Sequence, residues 1–160
     1  MKQIAELVKS GKFDYILIDT PGDNGGPLRL AAAAADRALV IATHQPASIR
    51  AAERTALQLR DLCVEDRRLI INNFEFSAVR KGLRPGVIDI IDRTCVQLIG
   101  VIPFDYRMSQ LQENGELIDT LRHCDTRTAF YNIAYRIIHK NAQLPLFSGF
   151  GRSDRAVALK

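Results

Sequence analysis

The sequence has few cysteines and no long apolar run. Its three cysteines lie far apart without a CxxC spacing, which excludes a disulfide framework and gives no support to a zinc site. No stretch approaches the ~18 consecutive apolar residues that a membrane-spanning helix needs. Charged residues interrupt every apolar run of the N-terminal MKQIAELVKSGK, so we expect no export signal in this segment. These absences predict a protein of the reducing cytoplasm.

Neither sign of charge dominates the chain. There are 22 Lys and Arg residues against 18 Asp and Glu residues, a net charge of +4. Four basic residues and one acidic residue lie between Lys140 and Lys160, so most of the excess positive charge belongs to the C-terminus. The remainder is nearly neutral, and its charge gives no reason to expect a nucleic-acid partner.

What is present is the composition of one globular domain, with 160 residues, 47% hydrophobic and 25% charged. Four apolar runs are near-continuous, as in parallel strands that are covered by helices on both faces. Each pair of runs is separated by enough sequence for a helix. The strands are predicted at Phe13 to Ile18, Ala38 to Ala42, Leu69 to Asn72 and Gln97 to Ile102.

Amphipathic segments predict the helices between these strands. Ile49, Ala52, Ala56, Leu59 and Cys63 repeat at steps of three and four, which predicts one buried stripe that includes Cys63. Asp125 is expected to cap the last helix. The predicted helices are Gln3 to Val8, Pro46 to Leu62, Gly86 to Arg93 and Asp125 to Ile138.

The periodic pattern stops after Asn141. Pro145 and two glycines break the stretch that follows, which predicts a domain over 1–141 and a flexible tail over 142–160.

Alternating strands and helices predict an α/β fold with a doubly wound, mainly parallel sheet and flanking helices. Ligands of such folds bind at the carboxyl ends of the strands. His44 follows a strand there, but it has no positioned nucleophile or carboxylate partner in the sequence, and we interpret it as a solvated loop residue.

The strongest local pattern is FDYILIDTPGDNGG, in which an apolar run delivers Asp19 to a Gly-rich turn. In a nucleotide hydrolase an acid at this place orients the Mg²⁺ shell. The structural alternative is that Asp19 caps the following helix, and the pattern alone leaves both open.

Five segments, in their order and spacing along the chain, resemble the MinD/ParA family of deviant Walker A P-loop ATPases. FDYILIDTP is similar to the family's Walker B strand and second switch, and LIINNF to its adenine-side strand. The other three are AADRALVIATHQPASIRAAER, GVIPFDYRMSQLQENGELI and TAFYNIAYRI. The resemblance runs from about Lys12 to Ile138 and implies a P-loop NTPase-like fold.

The resemblance also implies roles for individual residues. Asp19 would hold Mg²⁺ through water, and Thr20, Pro21 and Gly22 would form the second switch, although Gly22 follows Pro21 one position earlier than in the family. Asn72 would contact adenine, and the other side of the base would be lined, largely through backbone, by Pro103, Phe104 and Asp105. The alternative is that Asn72 and Asn73 satisfy strand-end backbone groups. No catalytic residue is assigned.

The sequence contains no KGGxGK or GxxxxGK[ST] segment, whose amides and Lys would hold nucleotide phosphates. We therefore expect a partial fold without the N-terminal strand and phosphate loop, and a chain that is inactive as an ATPase alone. ATP and Mg²⁺ are the cofactors implied for the complete family protein. Whether this chain binds them is left open.

Two functions compete. The first is the C-terminal portion of a MinD/ParA-like ATPase that positions the division site, chromosomes or plasmids. The second is a non-catalytic α/β interaction module that has lost ATP hydrolysis. The resemblance implies a homodimer or self-association, a protein regulator or cargo adaptor, and a cytoplasmic location with weak peripheral membrane association, since MinD-like proteins commonly end in an amphipathic helix.

Overall fold

The computed structural model describes residues 6–7, 10–21 and 25–138. Gly22, the predicted tail over 142–160 and most of the first predicted helix lie outside the described residues. The expected end of that helix is partly visible, because the Ser10 amide donates to the Glu6 carbonyl at 2.9 Å. Gly11 follows with φ of +59°, the left-handed conformation that terminates helices.

Three parallel strands form the sheet of the described residues. They are β1 (Arg37–Ala42), β2 (Asp66–Phe74) and β3 (Gln97–Pro103), in the spatial order β1-β2-β3. Both neighbouring pairs are parallel. Three of the four predicted strands and the parallel α/β class are thus confirmed, and each strand extends beyond its predicted bounds.

Six α-helices are described around this sheet. They are α1 (Gly26–Ala32), α2 (Pro46–Asp61), α3 (Phe76–Arg80), α4 (Val87–Thr94), α5 (Arg107–Asn114) and α6 (Asp125–Ile137). A short 3-10 helix covers Ile118–Thr120. No helix in the described ranges is long and apolar enough to cross a membrane.

The helices cover the two faces of the sheet unequally. Helices α2 and α4 lie in the crossovers from β1 to β2 and from β2 to β3, and they contact each other. Right-handed crossovers in the order β1-β2-β3 place both helices on one face. Helix α6 packs on β3, where Ile133 lies over Gly100. The predicted stripe of α2 is buried at Ile49, Ala52, Ala56 and Leu59.

The predicted strand from Phe13 to Ile18 is wrong for the described structure. Residues 12–21 adopt no regular strand, and Phe13 and Leu17 are 59% and 86% exposed. A strand needs a hydrogen-bonded neighbour, and none of the described residues pairs with this segment. The apolar pattern therefore predicted a segment of strand-like composition, but it could not show whether a neighbouring strand pairs with that segment.

Two helix ends also differ from the predictions. Cys63 lies beyond α2, exposed and with φ of +62°, so it terminates the helix and is not part of the buried stripe. The cap of α6 is Cys124, whose Sγ accepts from the Arg127 amide at 3.3 Å, whereas Asp125 is the first helical residue. Cys124 is buried, because its sulfur turns inward to the helix end.

Candidate functional site

The carboxyl ends of the three strands meet at one edge of the sheet. Phe74 pairs with Pro103, and the Phe104 amide donates to the Phe74 carbonyl at 3.0 Å. This bond continues the contact between β2 and β3 just past the regular register. The structure therefore brings the strand carrying Asn72 next to the segment that begins with Pro103 and Phe104.

Asn72 lies half-buried near the end of β2. Its Oδ1 accepts from the Asn73 amide at 2.9 Å, and Asn73 is exposed with φ of +52°. Asn tolerates this left-handed conformation better than most residues. One acceptor of Asn72 thus satisfies a strand-end amide, as the alternative interpretation of Asn72 expects. The side chain retains a second lone pair and an NH₂ group for a ligand.

The carboxylate of Asp105 makes most of its hydrogen bonds to Arg107, within its own segment. Its carboxylate accepts from Arg107 Nη2 at 2.7 Å and from the Arg107 amide at 3.0 Å, and Thr126 Oγ1 lies at 3.4 Å. Hydrogen bonds from Arg107 hold the pKa of Asp105 below its usual value, against the opposing effect of burial. Asp105 therefore orders the start of α5 and joins it to α6, and the backbone around it stays in place.

Phe104 and Tyr106 flank Asp105 with exposed rings, 59% and 67% accessible. Phe104 is anchored through its backbone bond to Phe74, so its ring stands at the junction of β2 and β3. An amide that can both donate and accept, beside an exposed aromatic ring, can hold a flat heteroaromatic base by hydrogen bonding and stacking.

The prediction that His44 is a solvated loop residue is wrong. The residue is only 6% exposed, not solvated, because its ring packs edge-on against Phe74 with centroids 5.6 Å apart. Nδ1 accepts from the Glu75 amide at 3.3 Å, which assigns the proton of the neutral ring to Nε2. Burial, and then the charge of Arg84, lower the pKa of His44. His44 joins the ends of β1 and β2.

Asp19, Thr20 and Pro21 are not joined to this edge by any hydrogen bond among the described residues. Asp19 and Pro21 are exposed and Thr20 is half-buried, in the segment that forms no strand. No cluster of three or more His, Cys, Asp or Glu side chains that could hold a metal occurs in residues 6–7, 10–21 and 25–138. The donor set at the strand ends therefore fits a base, while Asp19 offers Mg²⁺ a single carboxylate.

The parallel sheet and its flanking helices define the class of protein, a partial P-loop NTPase fold. No family model matches the sequence. The chain is similar to MinD over most of its length, and this similarity supports a MinD-like C-terminal portion.

Two curated relatives illustrate the similarity. The septum site-determining protein MinD of Synechocystis sp. is 32% identical over 138 residues, covering 86% of this chain and 52% of the relative. The MinD of Bacillus subtilis is 27% identical over 146 residues, covering 89% of this chain and 54% of the relative. The chain thus spans about half the length of these relatives.

Solved structures agree. The MinD cell division protein of Aquifex aeolicus superposes with a TM-score of 0.83 at 28% identity, over 91% of this chain and 61% of that one. The MinC:MinD complex of the same organism gives a TM-score of 0.84 over 92% of this chain and 61% of that one. A MinD of Pyrococcus horikoshii complexed with Mg-ADP, at 20% identity and a TM-score of 0.69, over 84% of this chain and 55% of that one, supports the fold alone.

Proposed function

We propose that this chain is the C-terminal portion of a MinD/ParA-like ATPase and contributes the residues that bind the nucleotide base. The complete protein would act in spatial positioning, and the names of the relatives indicate division-site selection as the process. The observation that carries the proposal is the junction of β2 and β3, where the Phe104 amide bonds to the Phe74 carbonyl and Asn72 lies two residues before Phe74 on β2. The alternative of an interaction module that has lost hydrolysis is not favoured, because the similarity to MinD extends over most of the chain.

Asn72 would bind the Watson-Crick edge of adenine, and Phe104 and the backbone of Pro103 would line the base. Asp105 would act indirectly, since its carboxylate is bonded to Arg107 and Thr126. ATP and Mg²⁺ are the nucleotide and metal proposed for the complete protein. In that protein Asp19 would hold Mg²⁺ through water, and Thr20, Pro21 and Gly22 would form the switch.

The test is nucleotide binding by Asn72→Ala, measured by isothermal titration with ATP and with GTP. Loss of one hydrogen bond of about 0.5–1.5 kcal/mol predicts roughly 2- to 10-fold weaker ATP binding. Because an amide reads the base edge, the preference for ATP over GTP should fall as well. Asn114→Ala, at the exposed end of α5, is the matched control.

The two readouts separate recognition from local structure. An equal loss of affinity for ATP and GTP would show that Asn72 acts only through its hydrogen bond to the Asn73 amide. Identical ATP binding by wild type and Asn72→Ala would remove the assignment altogether.

Hydrolysis is a separate question. The chain should not turn over ATP above background with Mg²⁺, because its sequence contains no phosphate-binding loop of the Walker type. Turnover that disappears in Asp19→Ala would contradict this expectation and would give Asp19 a role without such a loop.

Protein partners follow from the same resemblance. The Aquifex MinD occurs in a complex with MinC, which supports a protein regulator or adaptor as a partner of the complete protein, together with homodimerisation. A cytoplasmic location, with at most weak peripheral membrane association through residues after Asn141, completes the proposal.

A further inference from the structure

His44 is buried at the point where the segment after β1 meets the end of β2. Its Nδ1 accepts from the amide of Glu75, the residue that follows β2 and precedes the first turn of α3. This hydrogen bond therefore ties the segment after β1 to the start of α3.

Phe74 connects this buried histidine to the candidate site. Its ring packs edge-on against His44 and also against Phe76, with centroids 5.0 Å apart in the second pair. Its carbonyl accepts from the Phe104 amide. Buried side chains at protein density have little free space, so a shift of the His44 ring would move Phe74 and, through its carbonyl, Phe104.

The hydrogen bond from the Glu75 amide requires a neutral imidazole. Nδ1 accepts only while it carries no proton, and both nitrogens of a protonated ring are donors. In the protonated ring two N–H groups would face each other, and the bond between His44 and Glu75 would be lost. A charge on a buried ring is also costly unless a partner compensates it.

Two charged groups act on the His44 ring, and both belong to the chain that follows β2. Arg84, in the loop between α3 and α4, opposes a proton on the ring, whereas the carboxylate of Glu75 favours one. That carboxylate already accepts from Ser77 Oγ at 2.8 Å. Burial has the largest effect and, together with Arg84, it holds the pKa of His44 below its usual value. His44 is therefore neutral at about pH 7 and takes up a proton only in acid.

We propose that His44 is a positioning residue for the nucleotide base: neutral His44 holds the junction of β2 and β3 in place, and its protonation releases the junction and weakens base binding. This inference rests on the proposed function, because it names a condition that changes the affinity of the same site. If the base binds the neutral form better, binding must also make His44 harder to protonate. The affinity should therefore fall as the pH drops through the pKa of His44 in the free chain.

The experiment is an NMR titration of the full chain with adenosine, which carries the base without titratable phosphates. Wild type should bind adenosine about 2- to 10-fold more weakly at about pH 5 than at about pH 7.5, as expected for the loss of one hydrogen bond. His44→Asn retains a side-chain acceptor but cannot titrate, so its affinity should be the same at both values. Circular dichroism at each pH confirms that the chain is folded, so the affinity is separated from stability.

His123→Asn is the matched control. His123 is exposed just before α6, with φ of +51°, a conformation that Asn tolerates. This variant also loses one imidazole, but at a place outside the junction. It should keep the pH dependence of the wild type.

A second measurement needs no ligand. In the free chain the amide signals of Glu75 and Phe104 should shift with the titration of the His44 ring, and they should stay constant in His44→Asn. If wild type bound no adenosine at any pH while these amides still titrated, the base-binding function would be contradicted and the hold of His44 on the junction would be supported.

Three results would overturn the proposal. They are an adenosine affinity of wild type that does not change with pH, an equal pH dependence in His44→Asn, and a Phe104 amide that does not respond to the titration of His44.

Discussion

Replacing Gly100 with Ala tests how closely α6 packs on β3. A Cβ at this position would lie 2.2 Å from Cγ1 and 2.6 Å from Cδ1 of Ile133. Ile133 is buried in α6, and a β-branched side chain in a helix has essentially one χ1 rotamer. The clash must therefore be relieved by a movement of the helix or by strain in the side chain.

The magnitude follows from two opposing effects. In a strand, Ala is ordinarily favoured over Gly by roughly 0.5–1 kcal/mol, because Gly loses more backbone entropy on folding. Overpacking of a buried contact costs about 1–3 kcal/mol. Since both contacts would be far below van der Waals distance, overpacking should outweigh the gain in backbone entropy, and Gly100→Ala should lower the free energy of unfolding by about 1–2 kcal/mol.

The assay is urea unfolding at a single protein concentration, because self-association would add to the apparent stability. Ile133→Ala removes Cγ1 and Cδ1 and leaves Cβ at 3.7 Å from the new methyl group. In a double-mutant cycle, Gly100→Ala should then become neutral or stabilising. Ile133→Val retains a methyl at the Cγ1 position and should rescue less.

Gly26→Ala is the control, since nothing lies within 4 Å of a Cβ there and Gly26 has no positive φ. It should leave stability unchanged or slightly higher. If Gly100→Ala were as harmless as Gly26→Ala, the close packing of α6 on β3 would be refuted.

Three further predictions concern acid, thiols and membranes. Because burial lowers the pKa of His44, the unfolded chain binds the proton more tightly, so stability should fall as pH drops below about 6.5; His44→Asn should flatten this dependence of the urea midpoint. Thiol titration should find that the exposed Cys63 and Cys95 react fast and that the buried Cys124 reacts only on unfolding. Residues 142–160 should bind anionic vesicles weakly at best, so strong pelleting that is lost on their deletion would show a membrane role.

The sequence predicted best those elements whose burial is decided locally. Each of β1, β2 and β3 contains a short apolar run, and α2 shows its buried stripe at helical spacing. The parallel arrangement followed because a helix separates each pair. The helix ends were harder to predict. Cys124 and Asp125 can both cap the start of α6, and Cys124 is the cap because its Sγ accepts from the Arg127 amide.

Part of the geometry around the candidate site was predictable. The strand that carries Asn72 and the segment that carries Phe104 lie side by side, as expected for the carboxyl ends of neighbouring parallel strands, and the binding of a base by these residues stays a prediction. His44 differs, because its partner Glu75 lies 31 positions away in the sequence, and no local pattern reports such a partner. Asp105 is bonded mainly to Arg107, two positions away, and only its longer contact with Thr126 spans 21 positions.

The mispredicted strand shows why an apolar run alone does not determine a strand. The segment from Phe13 to Ile18 has the composition of a buried strand but no neighbour among the described residues. Strand β1 has a similar length and a similar apolar content, and it pairs with β2 from Arg37 to Ala42. Strand formation needs backbone partners as well as apolar side chains, so the partners decide which of the two runs becomes a strand.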